Sequence, residues 1–244
     1  MATPRLIVDF DGVVVDALEE CALVTWLGVH PPVASAPVSA YLPAIPPGFL
    51  RRFARVRDFS RTLDHFLVAH RPAADRIAAQ AEFDRIFGVL TPATVRSFVA
   101  GAGAARQRCR TEEAPFWLDL HTLYPGIDAL LERHAGAVAV ITAKDAESVW
   151  TILRRRGLAH TVVEVIGECG RKDDALRDLC GRYGGRPQDV TFVDDNLTNV
   201  RRVAATGAGH AWATWGYHTP EDVATAARLG IPRISLAEVP TLSV

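Results

Sequence analysis

The sequence predicts an α/β fold, a mostly parallel sheet with crossover helices that is interrupted after its first strand by an α-helical insert. Short apolar runs alternate with amphipathic stretches through the second half of the chain, the pattern of repeated strand, helix, strand. Between the first apolar run and Pro125 no comparable strand appears, and helical spacings take its place. Polar groups also follow the apolar runs, at the strand ends where open α/β sheets carry their ligand sites.

The elements follow in order. Leu6-Ile7-Val8 reads as a short buried strand, and Ala17–Leu27 as a helix after the Gly12 loop. The segment from Pro31 to Pro47, with prolines at 31, 32, 37, 43, 46 and 47, is excluded from regular helix and is expected to run extended over the surface, as a hinge or a lid. Phe49, Phe53 and Val56 recur at helical spacing, then Leu63, Phe66 and Leu67, then Ile77, Ala81 and Ile86, and Thr91-Pro92 opens a fourth stretch. The insert is therefore expected to be a small helical bundle.

From Pro125-Gly126 a helix buries Ile127, Leu130 and Leu131, and a strand follows over 137–141. Asp145 is placed to cap a helix whose inner face holds Ala146, Val149, Ile152 and Leu153, with Arg154 to Arg156 in its last turn and Gly157 beyond it. A strand at Val162–Ile166, a helix carrying Leu176, Leu179 and Cys180, and a strand at Val190–Val193 come next. A helix with Leu197, Val200 and Ala204, a strand at His210–Thr214 and a last helix opened by Thr219-Pro220 complete the pattern.

Composition narrows the function. With 49% hydrophobic and 23% charged residues over 244, the chain has room for one α/β unit plus an inserted module, and no stretch is apolar enough for a membrane span. The first apolar run is broken by Asp9 and Asp11, unlike a signal peptide, so a cytoplasmic location is expected. A net charge of −1 offers no general attraction to nucleic acid or to an anionic membrane. Neither is expected as a partner. Cys21, Cys109, Cys169 and Cys180 have neither zinc-site nor disulfide spacing and read as reduced thiols.

The chemistry lies in the strand-end groups. Asp9 and Asp11, two residues apart, share a face if the strand continues, and unpaired carboxylates there need a cation, a hydrogen-bonding loop or water. Taken alone, the pair is also compatible with a solvated turn in which Gly12 supplies a positive φ. Thr142 after Val138–Ile141, Lys172 after Val162–Ile166, and Asp194-Asp195 after Val190–Val193 make packing a poor explanation of the set. A carboxylate beside a divalent cation can attack phosphorus, because the cation offsets repulsion between two anions. Asp9 suits that role, and Asp11 could protonate the leaving oxygen and then deprotonate the attacking water. Thr142 and Lys172 offer donors to the non-bridging oxygens, and the hard oxygen ligands of Asp194 and Asp195 fit Mg²⁺. Arg171 is an alternative donor to Lys172, Thr142 could also cap the helix behind it, and Lys144 is expected to face solvent.

The set Asp9-Phe10-Asp11-Gly12-Val13, Ile141-Thr142-Ala143-Lys144, Lys172 and Val193-Asp194-Asp195-Asn196 resembles, in order and spacing, the four motifs of the haloacid dehalogenase superfamily. The likeness covers the Rossmann-like half of the chain. It implies a Rossmann-like core of residues 1–16 and 121–244 and a helical cap of residues 17–120 that selects the substrate. It further implies a Mg²⁺-dependent phosphatase acting on a small phosphorylated metabolite through an aspartyl-phosphate on Asp9. Asp11 would be the acid/base, and Gly12, Thr142, Ala143 and Lys172 would hold the phosphoryl group. Asp9, Asp194, Asp195 and the backbone carbonyl of Asp11 would hold the metal. The Pro-rich stretch and Asp173, where many members have Pro, depart from the usual pattern. Asp11 argues against a dehalogenase, which has no use for a second acid. Chain order argues against a response-regulator receiver domain, in which the acidic pair comes first and the phosphorylated Asp later.

Two rivals remain at this stage, a phosphomutase of the same superfamily and a non-catalytic module that kept the fold. The basic stretch Arg51, Arg52, Arg55, Arg57 and Arg61, with Asp58 and Asp64 as its acidic balance, reads as a solvated helix face or as a reader of the remote part of an anionic substrate through Arg51 or Arg55. Around His210, Trp212, Trp215 and Tyr217 a substrate-facing aromatic is a further expectation. The chain is expected to be a monomer or a homodimer.

Overall fold

A computed structural model of the chain describes residues 3–242. It divides into two compact units, one of residues 17–121 and one of residues 1–16 with 122–244. Among the described residues no single helix is long and apolar enough to cross a membrane.

The unit of residues 17–121 is helical. It contains α1 (Leu18–Val29), α2 (Pro47–Phe59), α3 (Gln80–Gly88), α4 (Pro92–Glu112) and α5 (Ala114–Asp119), with 3-10 turns between them. Thr91 caps α4, its side chain accepting from the Thr94 N–H. α1 and α4 approach closely where both lack side chains, since a Cβ at Gly101 would lie 2.8 Å from the Gly28 carbonyl oxygen. They are also joined by a buried ion pair, with Arg106 Nε 2.6 Å and Nη2 3.0 Å from the two carboxylate oxygens of Glu20.

Three expectations are corrected in this unit. The Pro-rich segment does not run extended throughout, because Val38–Ala44 forms a 3-10 helix that contains Pro43 and buries Val38 completely. The segment is held by distant groups: Glu113 accepts from the Val38 and Ser39 N–H groups, and Arg108 donates to the carbonyls of Val33, Ala34 and Ala36. The stretch with Phe66 and Leu67 is a 3-10 helix, Leu63–His70. In the third stretch α3 starts only at Gln80, so Ile77 lies before it, Ala81 is exposed, and Phe83 is the buried residue. The spacing of 77, 81 and 86 crossed a loop.

The second unit holds β1 (Leu6–Val8), β2 (Val15–Asp16), β3 (Thr122–Leu123), α6 (Ile127–Arg133), β4 (Val138–Ile141), α7 (Ala146–Arg155), β5 (Val162–Ile166), α8 (Lys172–Arg182), β6 (Thr191–Asp194), α9 (Leu197–Ala204), β7 (Gly209–Ala213), α10 (Pro220–Leu229) and β8 (Arg233–Ile234). Six strands form one parallel sheet in the order β5-β4-β1-β6-β7-β8. β2 and β3 pair antiparallel as a separate two-stranded ribbon, which is too short to leave an alternation in the sequence. β1 is central and solvent-free on both faces, as expected of a parallel strand covered by helices.

Register places the site. Val8 is opposite Val140 on β4 and Val193 on β6, so Asp9, Ile141 and Asp194 emerge side by side at the carboxyl ends. The strand order also reverses at β1, with later strands added first on one side and then on the other. A crevice at such a switch point is where open α/β sheets bind their ligands.

Candidate active site

The loop after β1 is built around Phe10, which is fully buried and whose carbonyl accepts the N–H groups of Val13, Val14 and Val15. This tight turn carries the chain out of the sheet within a few residues. Asp9 remains in line with the strand: its N–H donates to the Val193 carbonyl at 2.9 Å, and its Oδ1 accepts from the Phe10 N–H at 2.7 Å. Gly12 has φ +93°, and a Cβ there would lie 2.1 Å from Asp195 Oδ2. The glycine thus gives both the turn and the room that Asp195 occupies.

Lys172 opens α8 and is buried. Its Nζ lies 2.7 Å from Asp9 Oδ2 and 2.8 Å from Asp194 Oδ2. Burial by itself would lower the pKa of this ammonium, but the Asp194 and Asp9 charges raise it, so it stays a cation. Asp194, with no solvent exposure, is pushed up to about 6 by burial, against the pull of Lys172 and with the Asp9 charge adding to the rise. Its Oδ1 accepts from the Asn196 N–H at 2.7 Å, and its Oδ2 from Asn199 Nδ2 at 3.1 Å. Asp195 Oδ2 accepts from the Tyr217 N–H at 2.7 Å, and its carbonyl from Trp212 Nε1 at 2.7 Å.

Thr142 is buried and links two loops. Its N–H donates to Ile166, its carbonyl accepts from Cys169, and its hydroxyl accepts from the Lys144 N–H at 3.2 Å. It therefore shapes a turn, while the cap of α7 is Asp145, whose Oδ1 accepts from the Ser148 N–H at 2.9 Å. Ala143 is exposed beside it. Lys144 does not face solvent as expected: its side chain is 4% exposed and its Nζ lies 3.0 Å from Asp11 Oδ2. The reason is a long-range partner, since Asp11 sits 133 residues away in sequence. Arg171, the alternative to Lys172, turns outward and pairs with Asp173 at 2.9 Å.

Asp9, Asp194 and Asp195 each offer an oxygen such that all lie within 4.8 Å of one another. Two of these three carboxylates, Asp9 and Asp194, share the Lys172 ammonium, which leaves negative charge in excess, and an all-oxygen donor set of this kind fits a hard divalent cation. The side chain of Asp11 lies outside this group and pairs with Lys144.

The model of the haloacid dehalogenase-like hydrolases matches residues 5–205. The chain belongs to this family. Two phosphoglycolate phosphatases align with part of it. That of Pasteurella multocida (strain Pm70) is 28% identical over 110 residues, 41% of this chain and 48% of the relative. That of Haemophilus influenzae (strain 86-028NP) is 31% identical over 106 residues, 39% and 46% respectively. The chain spans about half the length of the curated relatives it matches. Solved structures share the fold over nearly the whole chain. A haloacid dehalogenase-like family hydrolase from Streptococcus pneumoniae has a TM-score of 0.63 at 15% identity, covering 98% of this chain and 97% of that one. A predicted phosphoglycolate phosphatase from Haemophilus somnus 129PT has a TM-score of 0.61 at 20% identity, with the same coverages of 98% and 97%.

In this haloacid dehalogenase-like hydrolase the two arginines singled out in the sequence lie on the helical unit. Arg51 and Arg55 are exposed on α2, Arg55 Nη1 reaching the Ile77 carbonyl at 3.4 Å. The acidic balance of this stretch includes a group not counted in the sequence, since Asp75 pairs with Arg52 at 2.7 Å. The aromatic residues near the chain's end brace the site from within. Trp212 and the Tyr217 backbone hold Asp195, Trp215 Nε1 donates to the Val13 carbonyl at 3.1 Å, and Tyr217 Oη bonds Asp16 at 2.8 Å. Sequence reasoning missed Lys144 and Asn199; an Asn in the first turn of the helix after Asp194 was the only local sign of the latter.

Proposed function

We propose that this hydrolase is a Mg²⁺-dependent phosphatase that cleaves a small phosphorylated metabolite through an aspartyl-phosphate on Asp9. The observation that carries the reading is the placement of the Asp9 carboxylate at the end of β1, ion-paired with Lys172 and grouped with Asp194 and Asp195. A nucleophile needs to approach an anionic phosphoryl group, and the Lys172 ammonium together with a divalent cation held by the acidic group would supply positive charge where the two meet.

An Asp9 oxygen forms a bond to phosphorus as the ester oxygen departs, and the Asp11 carboxyl gives its proton to that oxygen. A water then attacks the aspartyl-phosphate, returning a proton to Asp11 and releasing inorganic phosphate and free Asp9. Lys172, the Thr142 hydroxyl and the backbone around Gly12 and Ala143 hold the non-bridging oxygens. Mg²⁺, held by Asp9, Asp194, Asp195 and the Asp11 carbonyl, would offset the charge of the phosphoryl group. The helical unit of residues 17–121 is assigned substrate selection as a cap, through the exposed Arg51 and Arg55.

The partial likeness to phosphoglycolate phosphatases makes 2-phosphoglycolate the first ester to assay. The test is release of inorganic phosphate from a panel of esters with Mg²⁺ and with EDTA. Stoichiometric phosphate that needs Mg²⁺ is the expected result. An isomer formed only with a bisphosphate primer would identify a mutase, and no turnover of any ester would favour the non-catalytic module.

A further inference from the structure

We propose that Lys144 is a positioning residue that ties down one oxygen of Asp11 and so assigns proton transfer to the other. This rests on the phosphatase reading, in which Asp11 is the acid/base. Lys144 Nζ lies 3.0 Å from Asp11 Oδ2. Asp11 Oδ1 is also buried, and among the described residues it has no hydrogen-bond partner. A buried carboxylate oxygen left without a partner is costly unless something else uses it. The two oxygens of this carboxylate are therefore unequal by construction.

The loop that carries Lys144 is itself fixed. Its N–H donates to Thr142 Oγ1 at 3.2 Å, and its carbonyl accepts from the Glu168 N–H at 3.0 Å. Glu168 is the one non-glycine residue with a positive φ, +53°, among the described residues. At Gly167 a Cβ would come within 2.8 Å of the same Lys144 carbonyl. Backbone of this kind, held in a sparsely populated conformation against a close contact, is over-determined by its surroundings. An ammonium on such a loop is a fixed post.

An ammonium can only donate, so Oδ2 is engaged as an acceptor and Oδ1 is the oxygen left to exchange a proton. In the first step the Oδ1–H bond breaks and the proton passes to the ester oxygen as the P–O bond to the leaving group breaks and the Asp9–phosphorus bond forms. In the second step Oδ1 takes a proton from the water whose oxygen bonds to phosphorus as the Asp9–phosphorus bond breaks.

The test compares phenyl phosphate, whose leaving oxygen needs the proton, with 2,4-dinitrophenyl phosphate, whose leaving oxygen does not. For Lys144→Met, kcat/KM for phenyl phosphate is expected to fall by at least about tenfold more than for the dinitrophenyl ester, within the range of about 10²–10⁴-fold typical of general acid catalysis. Lys144→Arg is expected to restore part of that loss. In an Asp11→Asn background, adding Lys144→Met is expected to cost nothing further, because the post then has nothing to position. This double variant also removes the unpaired charge, so it serves as the test if Lys144→Met alone fails to fold. Equal losses on both esters, or an undiminished further loss in the Asp11→Asn background, would overturn the proposal. Absence of turnover in the unsubstituted protein would instead overturn the phosphatase reading, and melting temperatures of Lys144→Met, Asp11→Asn and the double variant would then decide whether the two side chains are coupled at all.

Discussion

The ammonium of Lys172 lies 2.8 Å from Asp194 Oδ2, with the Lys172 side chain 4% exposed and that of Asp194 wholly buried. A pair so enclosed is held together more by the cost of separating it than by a net gain in making it. Asp9 shares the same ammonium at 2.7 Å, so one cation serves two carboxylates.

Replacing Lys172 by Met therefore leaves Asp194 and Asp9 without their shared partner, and the expected destabilisation is about 3–5 kcal/mol. Urea denaturation in EDTA measures it. Saturating Mg²⁺ is expected to recover part of the loss, since a ligand that binds only the folded state stabilises it, by about 2.7 kcal/mol at 100 times its Kd. A variant as stable as the parent would show that the pair contributes nothing.

Asp9→Asn is expected to abolish turnover, because an amide is a poor nucleophile of nearly the same shape. Asp9 accepts from Phe10 on one oxygen and from Lys172 on the other, so Asn loses one of the two contacts and about 1–3 kcal/mol of stability, leaving it folded. A beryllium fluoride adduct, read by fluorine NMR, is expected on the parent and absent from this variant.

Gly12→Ala places a methyl group where Asp195 Oδ2 now sits, at a φ of +93° that alanine resists. Asp195 is expected to shift, and a disturbed support of a metal ligand commonly costs about 10–100-fold in metal affinity or activity. The Mg²⁺ concentration giving half-maximal activity reads this directly. Unchanged Mg²⁺ dependence would remove Asp195 from the metal's ligands.

In the helical unit, His70 Nε2 donates to the Thr25 carbonyl at 2.9 Å, and its ring lies 4.8 Å from that of Phe49. Burial pushes its pKa down to about 4, and burial lowers His65 in the same direction. A histidine whose folded pKa lies below its unfolded one binds fewer protons when folded. Stability is thus full above about pH 6.5 and falls as pH drops toward 4, by up to about 3 kcal/mol from His70 alone. His70→Gln keeps a donor and cannot charge, so its melting temperature is expected to fall less steeply over the same pH range than that of the parent.

Much of this molecule was legible along the chain. The sheet strands 6–8, 138–141, 162–166 and 191–194 appear within a residue of the apolar runs that announced them, and Thr91, Asp145 and Thr219 cap the helices they precede. Such features depend on neighbours a few residues away, which a linear reading sees. The acidic strand ends and Lys172 were visible for the same reason. What went unread depends on distant partners. Lys144 looked solvated because its partner Asp11 is 133 residues away, and the Pro-rich segment looked extended because Glu113, which accepts from its N–H groups, is 75 residues from Val38.

The sequence by itself determined the strand and helix periodicities, their caps, and which chemical groups stand at the ends of the strands, because hydrophobic spacing and capping are local. Only the tertiary structure decided which of those groups meet. Parallel register sets Asp9 beside Asp194, burial drives Lys172 onto both of them, the loop after β7 brings the Tyr217 N–H to Asp195, and the loop after β4 brings Lys144 to Asp11. The physical reason is that a charge removed from water takes whatever partner the packed chain brings within reach, and packing is a property of the whole.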